Sequence, residues 1–475
     1  MSSTLGLYAK VRIVAVNDIY ELTHLPKLAS FLRRLAKSEL PPSAVVLAGD
    51  FLSPGTLSAV DGGRGMVDSL RLCGITHASL GNHEADLIFP TLEDRIRQLT
   101  KKGTTTDTSR RDDSIRIVNT NLRPSSVDSS HFLKSLCPPY DIFYSHCGKV
   151  KIGLLGFLSD EQPLYIGGSF HGLPLGHVLD SYSESVTQIV PNGHADYIVS
   201  LTHQTIDRDR DLARHILQKH NYLGPQVLIG GHEHDPYQER VEAKDSSSSF
   251  VQIVKSGQDA EYASIIDISF DLFPSKNNRE SETIQAVNIE TEMVDLRDLD
   301  EECPQVKCFV ACKMTGLEKM EQEVIVDEDM LSNSSKTIEL SSKYSSTQVT
   351  TFGAFTCDAI RAQMEVDAAI LPGSLIRGEV PSYPSNRMTY KQIRKEFPTK
   401  IKMVVVSMTR GTLQRIIRES RKQQATEHNC FLQVDSEFEC AMRNKDNGCD
   451  DAVIQVALHM PLLTDGPIKE LVEIG

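Results

Sequence analysis

The sequence predicts a layered α/β fold with more than one domain. Through residues 1–270, short apolar runs with strand character alternate with helical patterns, which is typical of α/β architecture. At 475 residues the chain is too long for one ordinary core. A polar and charged stretch at 271–330 is followed by a second alternating unit at 331–475. We therefore predict a first domain at 1–270, a connector at 271–330 and a second domain at 331–475.

The composition narrows the classes of function. Apolar residues make up 40% of the chain and charged residues 24%, as in globular proteins. The 50 basic and 64 acidic side chains give a net charge of −14, which argues against nucleic acid or a membrane surface as a partner. We find neither a membrane span nor a signal peptide, so we expect a cytoplasmic location. The ten scattered cysteines fit no disulfide framework.

The first two predicted strands each end in an aspartate. A β-branched strand at 11–16 leads to Asp18. A helix at 26–40, with apolar residues at helical spacing, separates it from a second strand at 44–48, which leads to Asp50. Open α/β sheets place their ligands at the carboxyl ends of strands, so both carboxylates are candidate site residues.

A third strand, at 75–80, ends in the hexapeptide Gly-Asn-His-Glu-Ala-Asp at 81–86. Asn82 offers a neutral carbonyl oxygen, His83 an imidazole that can carry a proton, and Asp86 a carboxylate that can orient that imidazole. An Asn-His pair alone is ordinary turn chemistry. Its place after another apolar strand makes it part of a pattern.

Two later strands end in histidines. A strand at 196–201 leads to His203, and a strand at 226–229 delivers His232 and His234. Any one of these polar residues could be a helix cap or an exposed loop residue. Five such strand ends in one domain are hard to explain as independent caps.

The mixture of side chains at the strand ends suits a pair of divalent cations. The candidate ligands are Asp18, Asp50, Asn82, His203, His232 and His234. Two cations roughly 3.5–4 Å apart need an anionic bridge, for which Asp50 is the natural candidate. Oxygen and imidazole ligands together suit Zn²⁺, Mn²⁺, Co²⁺ or Fe²⁺ better than Mg²⁺ alone. The reaction class that follows is hydrolysis of a phosphate ester.

In their order and spacing, these motifs resemble those of the calcineurin-like metallophosphoesterases, and within them the 5′-nucleotidase family. The matching segments are Asn17-Asp18, Gly49-Asp50, Gly81-Asn82-His83-Glu84, His203 and Gly231-His232-Glu233-His234. The resemblance implies an α/β fold in which a four-layer α/β/β/α metallophosphoesterase domain is followed by a smaller α/β domain of the 5′-nucleotidase C-terminal type.

The resemblance also implies roles for the site residues. One metal would be held by Asp18, Asp50 and His234, and the other by Asp50, Asn82, His203 and His232. His83 and Asp86 would form a catalytic dyad whose imidazolium stabilises charge on the transferred phosphoryl group. In the second domain, Arg377 would clamp phosphate or ribose oxygens, and Phe397 would stack on a base. The alternatives are a surface arginine and a core phenylalanine.

Tyr20 departs from the family pattern, which usually has a histidine at this position. The unperturbed pKa of tyrosine is about 10, so a tyrosine must lose a proton before it ligates a metal well. We therefore expect the Tyr20 hydroxyl to hydrogen-bond a water or a substrate oxygen near the first metal rather than to ligate it. Two further departures, in the second domain, fall on nucleotide recognition rather than on hydrolysis.

The expected function is a two-metal phosphomonoesterase acting on a small phosphorylated substrate, a nucleoside 5′-monophosphate. A sugar-phosphate phosphatase and a nucleotide phosphodiesterase are alternatives within the same chemistry. A further alternative is a catalytically impaired phosphoesterase-fold protein that binds a phosphorylated ligand. Tyr20 favours this last interpretation, whereas the retained ligands and the His83–Asp86 pair oppose it.

Overall fold

The chain, as a computed structural model, contains two compact units, Met1–Thr315 and Gly316–Gly475. The structure describes residues 7–102, 113–124, 136–165, 169–220, 224–243, 246–274, 282–327, 339–383, 387–397, 401–422, 431–443 and 450–464. Within these residues, no helix combines the length and the apolar character that a bilayer span requires.

The first unit contains strands and helices in alternation. Its strands are β1 (Leu7–Val16), β2 (Ala44–Ala48), β3 (His77–Ser79), β4 (Arg116–Val118), β5 (Tyr140–Tyr144), β6 (Lys151–Leu158), β7 (Tyr197–His203), β8 (Gln226–Gly231), β9 (Pro236–Ala243), β10 (Ser246–Ser256), β11 (Tyr262–Pro274) and β12 (Glu282–Asp295). Its helices are α1 (Leu25–Leu35), α2 (Thr56–Asp61), α3 (Arg64–Cys73), α4 (Phe89–Thr100), α5 (Val178–Ile189), α6 (Ile206–Lys219) and α7 (Pro304–Glu321), the last of which continues past Thr315. Short 3₁₀ helices span Asn82–Asp86, Gln162–Leu164 and Ser169–Gly172.

Two six-stranded sheets form the centre of this unit, in the orders β12-β11-β1-β2-β3-β4 and β5-β6-β7-β8-β10-β9. Strands β1 to β4 are parallel, as are β6, β7, β8 and β10. One apolar core lies between the sheets, where Ile13 and Val46 of the first pack with Leu154 and Val199 of the second. The sheets therefore stack face to face.

Helices cover the outer faces of both sheets. Val186 of α5 and Leu212 of α6 pack with Ile198 and Leu228 of the second sheet. On the first sheet, α1, α3 and α4 bury their apolar faces, because their apolar residues recur at helical spacing. The result is the predicted four-layer α/β/β/α arrangement.

The first unit extends beyond the predicted domain end at residue 270. β11 continues to Pro274, and β12 pairs with it antiparallel along Glu282–Asp295. The predicted connector at 271–330 therefore includes strand β12 and all of α7, although its residues 275–281 and 328–330 lie outside the described ones. β12 mixes charged and apolar residues because one face of this antiparallel strand is covered and the other faces solvent, so the segment looks polar in sequence.

The second unit is a smaller α/β domain. Its strands are β13 (Val324–Val326), β14 (Ala368–Pro372), β15 (Met388–Thr389), β16 (Met403–Thr409), β17 (Leu432–Val434) and β18 (Val453–His459). Its helices are α8 (Thr351–Met364), α9 (Tyr390–Glu396), α10 (Arg410–Lys422), α11 (Ser436–Arg443) and α12 (Pro461–Thr464), and a 3₁₀ helix spans Gly373–Leu375. The main sheet has the order β16-β18-β14-β17. Ala368 and Ile370 of β14 face a core with α10, whereas Ala369 and Leu371 face a core with α8, so helices cover both faces.

Candidate active site

The ends of β1 and β2 bring Asp18 and Asp50 to one edge of the first sheet. The two strands are parallel neighbours, and the Asp18 N–H donates to the Gly49 carbonyl at 3.1 Å. Both aspartates are buried, and each has a φ of 52°, in the left-handed region that residues with a side chain seldom adopt. Residues with a side chain keep this conformation only where the surrounding structure enforces it, and such residues cluster at functional sites.

His203 closes the site from the end of β7. Its Nδ1 donates to the Ala48 carbonyl at 2.8 Å, so Nε2 is the nitrogen left to face the carboxylates. That buried Nε2 lies 3.0 Å from Asp50 Oδ2 and 3.9 Å from Asp18 Oδ1, yet it makes no well-formed hydrogen bond. A backbone carbonyl that orients the other ring nitrogen is the usual support of a metal-binding histidine.

The charge balance of this cluster also fits a cation. Burial acts to lower the pKa of His203, but the carboxylates of Asp50 and Asp18 raise it to about 10. Two buried carboxylates thus attract positive charge strongly enough to outweigh desolvation. The ligand atoms of Asp18, Asp50 and His203 lie within 4.8 Å of one another, close enough to share a metal ion.

The Tyr20 hydroxyl lies among three of the predicted ligand atoms. It is 3.0 Å from Asp18 Oδ1, 3.1 Å from Asp50 Oδ2 and 3.1 Å from His234 Nε2. Burial and the two carboxylates raise the pKa of Tyr20 far above its ordinary value. Asp259 fixes the loop by accepting the Tyr20 N–H at 2.8 Å. The hydroxyl therefore contacts the carboxylates directly, a contact that the sequence did not predict.

Asn82 and His232 meet on the other side of the cluster. Asn82 Oδ1 lies 3.0 Å from His232 Nδ1, and the His232 N–H donates to Asp18 Oδ2 at 2.9 Å. The rings of His232 and His203 are 5.5 Å apart. Burial and the neighbouring His203 lower the pKa of His232, which favours the neutral imidazole that metals bind.

His83 and Asp86, the residues predicted to act as a dyad, lie together in the 3₁₀ helix. His83 Nδ1 lies 3.0 Å from Asp86 Oδ2, and the His83 N–H donates to Asp50 Oδ1 at 2.8 Å. The hydrogen bond to Asp86 raises the pKa of His83, burial opposes this, and the charge of Asp50 adds to the rise. Because 38% of the His83 side chain is exposed, its ring can meet a ligand that enters from solvent.

Glu84 supports the site in a way that sequence reasoning missed. Its fully buried carboxylate accepts four backbone N–H groups, those of Gly81 at 2.7 Å, Asp50 at 3.0 Å, Phe51 at 2.8 Å and Leu52 at 2.9 Å. Burial and the charge of Asp50 raise the pKa of Glu84 to about 7. Glu84 thereby joins the loop after β2 to the hexapeptide. Its only signal in the sequence is its place between the candidate residues.

In the second unit, Arg377 and Phe397 lie beside each other. The Arg377 N–H donates to the Glu396 carbonyl at 2.9 Å, and Phe397 follows Glu396 at the end of α9. The Arg377 side chain is exposed. Phe397 is half-buried, with its ring 5.8 Å from that of Phe352. The Glu396 carboxylate is buried and accepts the Gly378 N–H at 3.2 Å, which fixes the Arg377 loop to α9.

Comparisons with known proteins agree with this architecture. The calcineurin-like phosphoesterase family matches residues 11–236, and the 5′-nucleotidase C-terminal domain family matches residues 330–460. A search of curated proteins by sequence found no match. Among solved structures, a 5′-nucleotidase precursor from Thermus thermophilus has a TM-score of 0.57 at 16% identity, over 98% of this chain and 92% of that chain. The NAD nucleotidase of Haemophilus influenzae has a TM-score of 0.56 at 12% identity, again over 98% and 92%.

At these identities the two solved structures support only the fold. The two family matches identify the domain type of each part of the chain. The buried carboxylates and histidines at the strand ends are the residue types that metal-dependent phosphoester hydrolysis requires. The chain therefore belongs to the calcineurin-like phosphoesterases with a 5′-nucleotidase C-terminal domain, and it is a metal-dependent phosphoester hydrolase.

Proposed function

We propose that the chain is a phosphomonoesterase that releases inorganic phosphate from nucleoside 5′-monophosphates. The observation that carries this proposal is the buried cluster of Asp18, Asp50 and His203, whose ligand atoms lie within 4.8 Å of one another. The His83–Asp86 pair adjoins this cluster, because the His83 N–H donates to Asp50 Oδ1 at 2.8 Å. A cation-binding cluster beside a protonatable imidazole suits a substrate that carries a phosphate.

The cluster would hold two divalent cations of Zn, Mn, Co or Fe. The proposed ligands are Asp18, Asp50 and His234 for one cation, and Asp50, Asn82, His203 and His232 for the other. Cations bound there would supply positive charge that neutralises phosphate oxygens and lowers the pKa of water. The two oxygens of Asp50 have separate surroundings, since Oδ1 accepts the His83 N–H and Oδ2 faces His203 and Tyr20. This division is consistent with a carboxylate shared between two sites.

The protein groups position the substrate and stabilise charge. Phosphoryl transfer needs little covalent chemistry from the protein, so positioning and electrostatics supply most of the rate. His83 as an imidazolium would pair with a phosphoryl oxygen as negative charge builds up there. Asp86 holds the ring through Nδ1, leaving Nε2 as the donor to substrate. Asp86 therefore orients His83 and also favours its charged form.

A nucleotide is the substrate class that the second unit favours. Its family is the 5′-nucleotidase C-terminal domain, and both solved relatives carry nucleotidase names. Arg377 offers an exposed guanidinium for phosphate or ribose oxygens, and the half-buried Phe397 offers a ring for a base. A sugar phosphate or a nucleotide diester remains the second candidate, because either would meet the same metal cluster.

A phosphate-release screen tests the proposal. Metal-free protein is supplied with Mn²⁺, Zn²⁺, Co²⁺ or Mg²⁺ in turn and assayed on nucleoside 5′-monophosphates, sugar phosphates and nucleotide diesters. We expect the highest kcat/KM on a nucleoside 5′-monophosphate, and none of this activity in the Asp50→Asn variant. If the enzyme prefers a sugar phosphate or a diester, that compound class is the substrate instead of the nucleoside 5′-monophosphates. Tight binding of a nucleotide without turnover under any metal would show a catalytically impaired binding protein.

A further inference from the structure

Lys255 is a charged residue in the interior of the first unit. It lies near the end of β10, and its side chain is 0% exposed. β10 runs parallel to β8, with Lys255 opposite Gly230, and β8 runs parallel to β7. Lys255 therefore lies beside the ends of the strands that carry the site histidines. Because it is fully buried, it cannot itself touch a substrate.

The ammonium of Lys255 is held by groups from two loops. It donates to the Gln204 carbonyl at 2.7 Å, to the Gly231 carbonyl at 2.8 Å and to the Glu233 carboxylate. Asp209 Oδ2 lies 2.9 Å away as a second negative charge, and it is also 0% exposed. An ammonium has three N–H groups, and here all three find an acceptor.

These acceptors adjoin proposed metal ligands. Gln204 directly follows His203 at the end of β7. Gly231 is the last residue of β8 and directly precedes His232. One ammonium thus bridges the backbone of the two loops that deliver the histidines of the second proposed metal site.

Further hydrogen bonds close the network around the ammonium. Gln204 Nε2 donates to Asp209 Oδ1 at 3.0 Å, and the Ile206 N–H donates to Glu233 Oε1 at 2.6 Å. The stem of Lys255 also fills the space beside β8, since a Cβ on Gly230 would lie 2.8 Å from Lys255 Cε. The two loops are therefore joined through one ammonium by a largely buried polar network, which is a rigid arrangement.

We propose that Lys255 is a positioning residue that fixes the separation of His203 and His232 and so sets the affinity of the metal site they share. The proposal rests on the ligand roles proposed for these two histidines. Without the ammonium, two carbonyls and the Asp209 carboxylate would be left buried without their cation, and the loops would move apart to hydrate them. Supporting groups of this kind typically change metal affinity by about 10–100-fold.

The test is a calorimetric titration of Mn²⁺ into the metal-free full chain, for the wild type and for Lys255→Met. Methionine keeps a long unbranched side chain but removes the charge and all three donors. We expect the His203–His232 site to bind Mn²⁺ at least tenfold more weakly in the variant. The control is Arg12→Met, which breaks the partly buried Arg12–Asp267 pair about 20 Å from Asp18 along β1. It should lower Tm without changing Mn²⁺ affinity.

A double-mutant cycle with His232→Ala separates positioning from general stability. If Lys255 acts through His232, Lys255→Met should weaken Mn²⁺ binding in the wild type but add no further loss in the His232→Ala background. An unchanged Mn²⁺ affinity in Lys255→Met, or the same loss in both backgrounds, would overturn the positioning role. If His232→Ala alone leaves Mn²⁺ affinity unchanged, the proposed ligand set fails instead. Should Lys255→Met not fold, the variant Lys255→Met/Asp209→Asn, which removes both buried charges, carries the same comparison.

Discussion

The Tyr20 hydroxyl lies 3.0 Å from Asp18 Oδ1, so a phenol stands directly against a carboxylate proposed to bind the first metal. It also lies 3.1 Å from Asp50 Oδ2, although it has only one proton to donate. A phenol must lose that proton to ligate a cation well, whereas a neutral imidazole is ready to bind. The first metal site should therefore be the weaker of the two.

The variant Tyr20→His should tighten the first site and reduce the dependence of activity on added metal. A histidine would supply a neutral nitrogen close to Asp18 and His234. Calorimetric titration with Mn²⁺ and activity against metal concentration measure the effect, with Tyr20→Phe as the control that removes the hydroxyl without adding a ligand. Two ions of equal, chelator-resistant affinity in the wild type would contradict this account.

Asp50→Asn should abolish hydrolysis and reduce bound metal from two ions towards one or none. Asp50 is the carboxylate whose two oxygens face different parts of the cluster, and asparagine lacks the charge that a bridge between two cations requires. Metal analysis of the purified variant and phosphate release give the answer. A variant with full activity and two bound ions would show that Asp50 is not a metal ligand.

His83→Ala should lower kcat by about 10²–10³ while both metals stay bound. The variant loses the imidazolium but keeps the backbone N–H that donates to Asp50 Oδ1. Asp86→Asn should give a smaller loss, because the ring of His83 remains and only its hydrogen-bond partner changes. Phosphate release and metal content are measured together. Loss of metal from His83→Ala would make His83 a ligand.

Arg377→Ala and Phe397→Ala should impair nucleotide turnover much more than turnover of a small aryl phosphate. A nucleotide offers a base to stack and a ribose to bind, which the small substrate lacks. The ratio of kcat/KM for the two substrates is the measurement. Arg387→Ala, which removes another exposed arginine of the second unit, is the control and should leave the ratio unchanged. Equal losses on both substrates would assign Arg377 and Phe397 to folding.

Asp141→Asn should destabilise the first unit at neutral pH and less so in acid. Burial acts to raise the pKa of Asp141, but hydrogen bonds from His77 and Arg116 lower it from 3.8 to about 2. A carboxyl group whose pKa is lowered by folding stabilises the fold above its unfolded pKa, and this contribution disappears as the pH falls through the folded value. Because a quarter of the side chain is exposed, we expect a loss of about 1–2 kcal/mol at pH 7.

Urea unfolding at pH 7 and at pH 3 measures this difference between Asp141→Asn and the wild type. The exposed pair Arg214–Asp211 provides the control, since Asp211→Asn should cost less than about 0.5 kcal/mol at either pH. A loss for Asp141→Asn that does not shrink between pH 7 and pH 3 would show that the charge of Asp141 is not responsible.

The sequence was most informative for elements whose local residue pattern matches their place in the fold. Buried parallel strands are continuous apolar runs, so β2 and β7 could be predicted along with the polar residues that follow them. Asp50 and His203 could each be predicted as site residues at the end of a strand, but β2 and β7 belong to different sheets, whose stacking brings the two side chains together. The structure places Asp50 Oδ2 and His203 Nε2 3.0 Å apart.

What the sequence could not predict are contacts that depend on which loops become neighbours. Glu84 reads as a turn residue until β2 and the 3₁₀ helix lie side by side, when it binds three N–H groups of the loop after β2. Lys255 reads as an irregularity in an apolar strand until the ends of β7 and β8 converge on it. β12 was missed because an edge strand with one covered face has a mixed pattern.

Asp18, Asp50 and His232 all have a left-handed backbone conformation. At these three positions, the residue that activity needs is not the residue that gives the highest thermal stability. A residue with a Cβ costs about 1–2 kcal/mol in this conformation, whereas glycine adopts it freely. Glycine would also remove two buried carboxylates that repel each other when no cation is present. A laboratory selection for thermal stability alone would therefore favour glycine at these positions and enrich variants that are stable but inactive. A library built for stability should keep these three codons fixed.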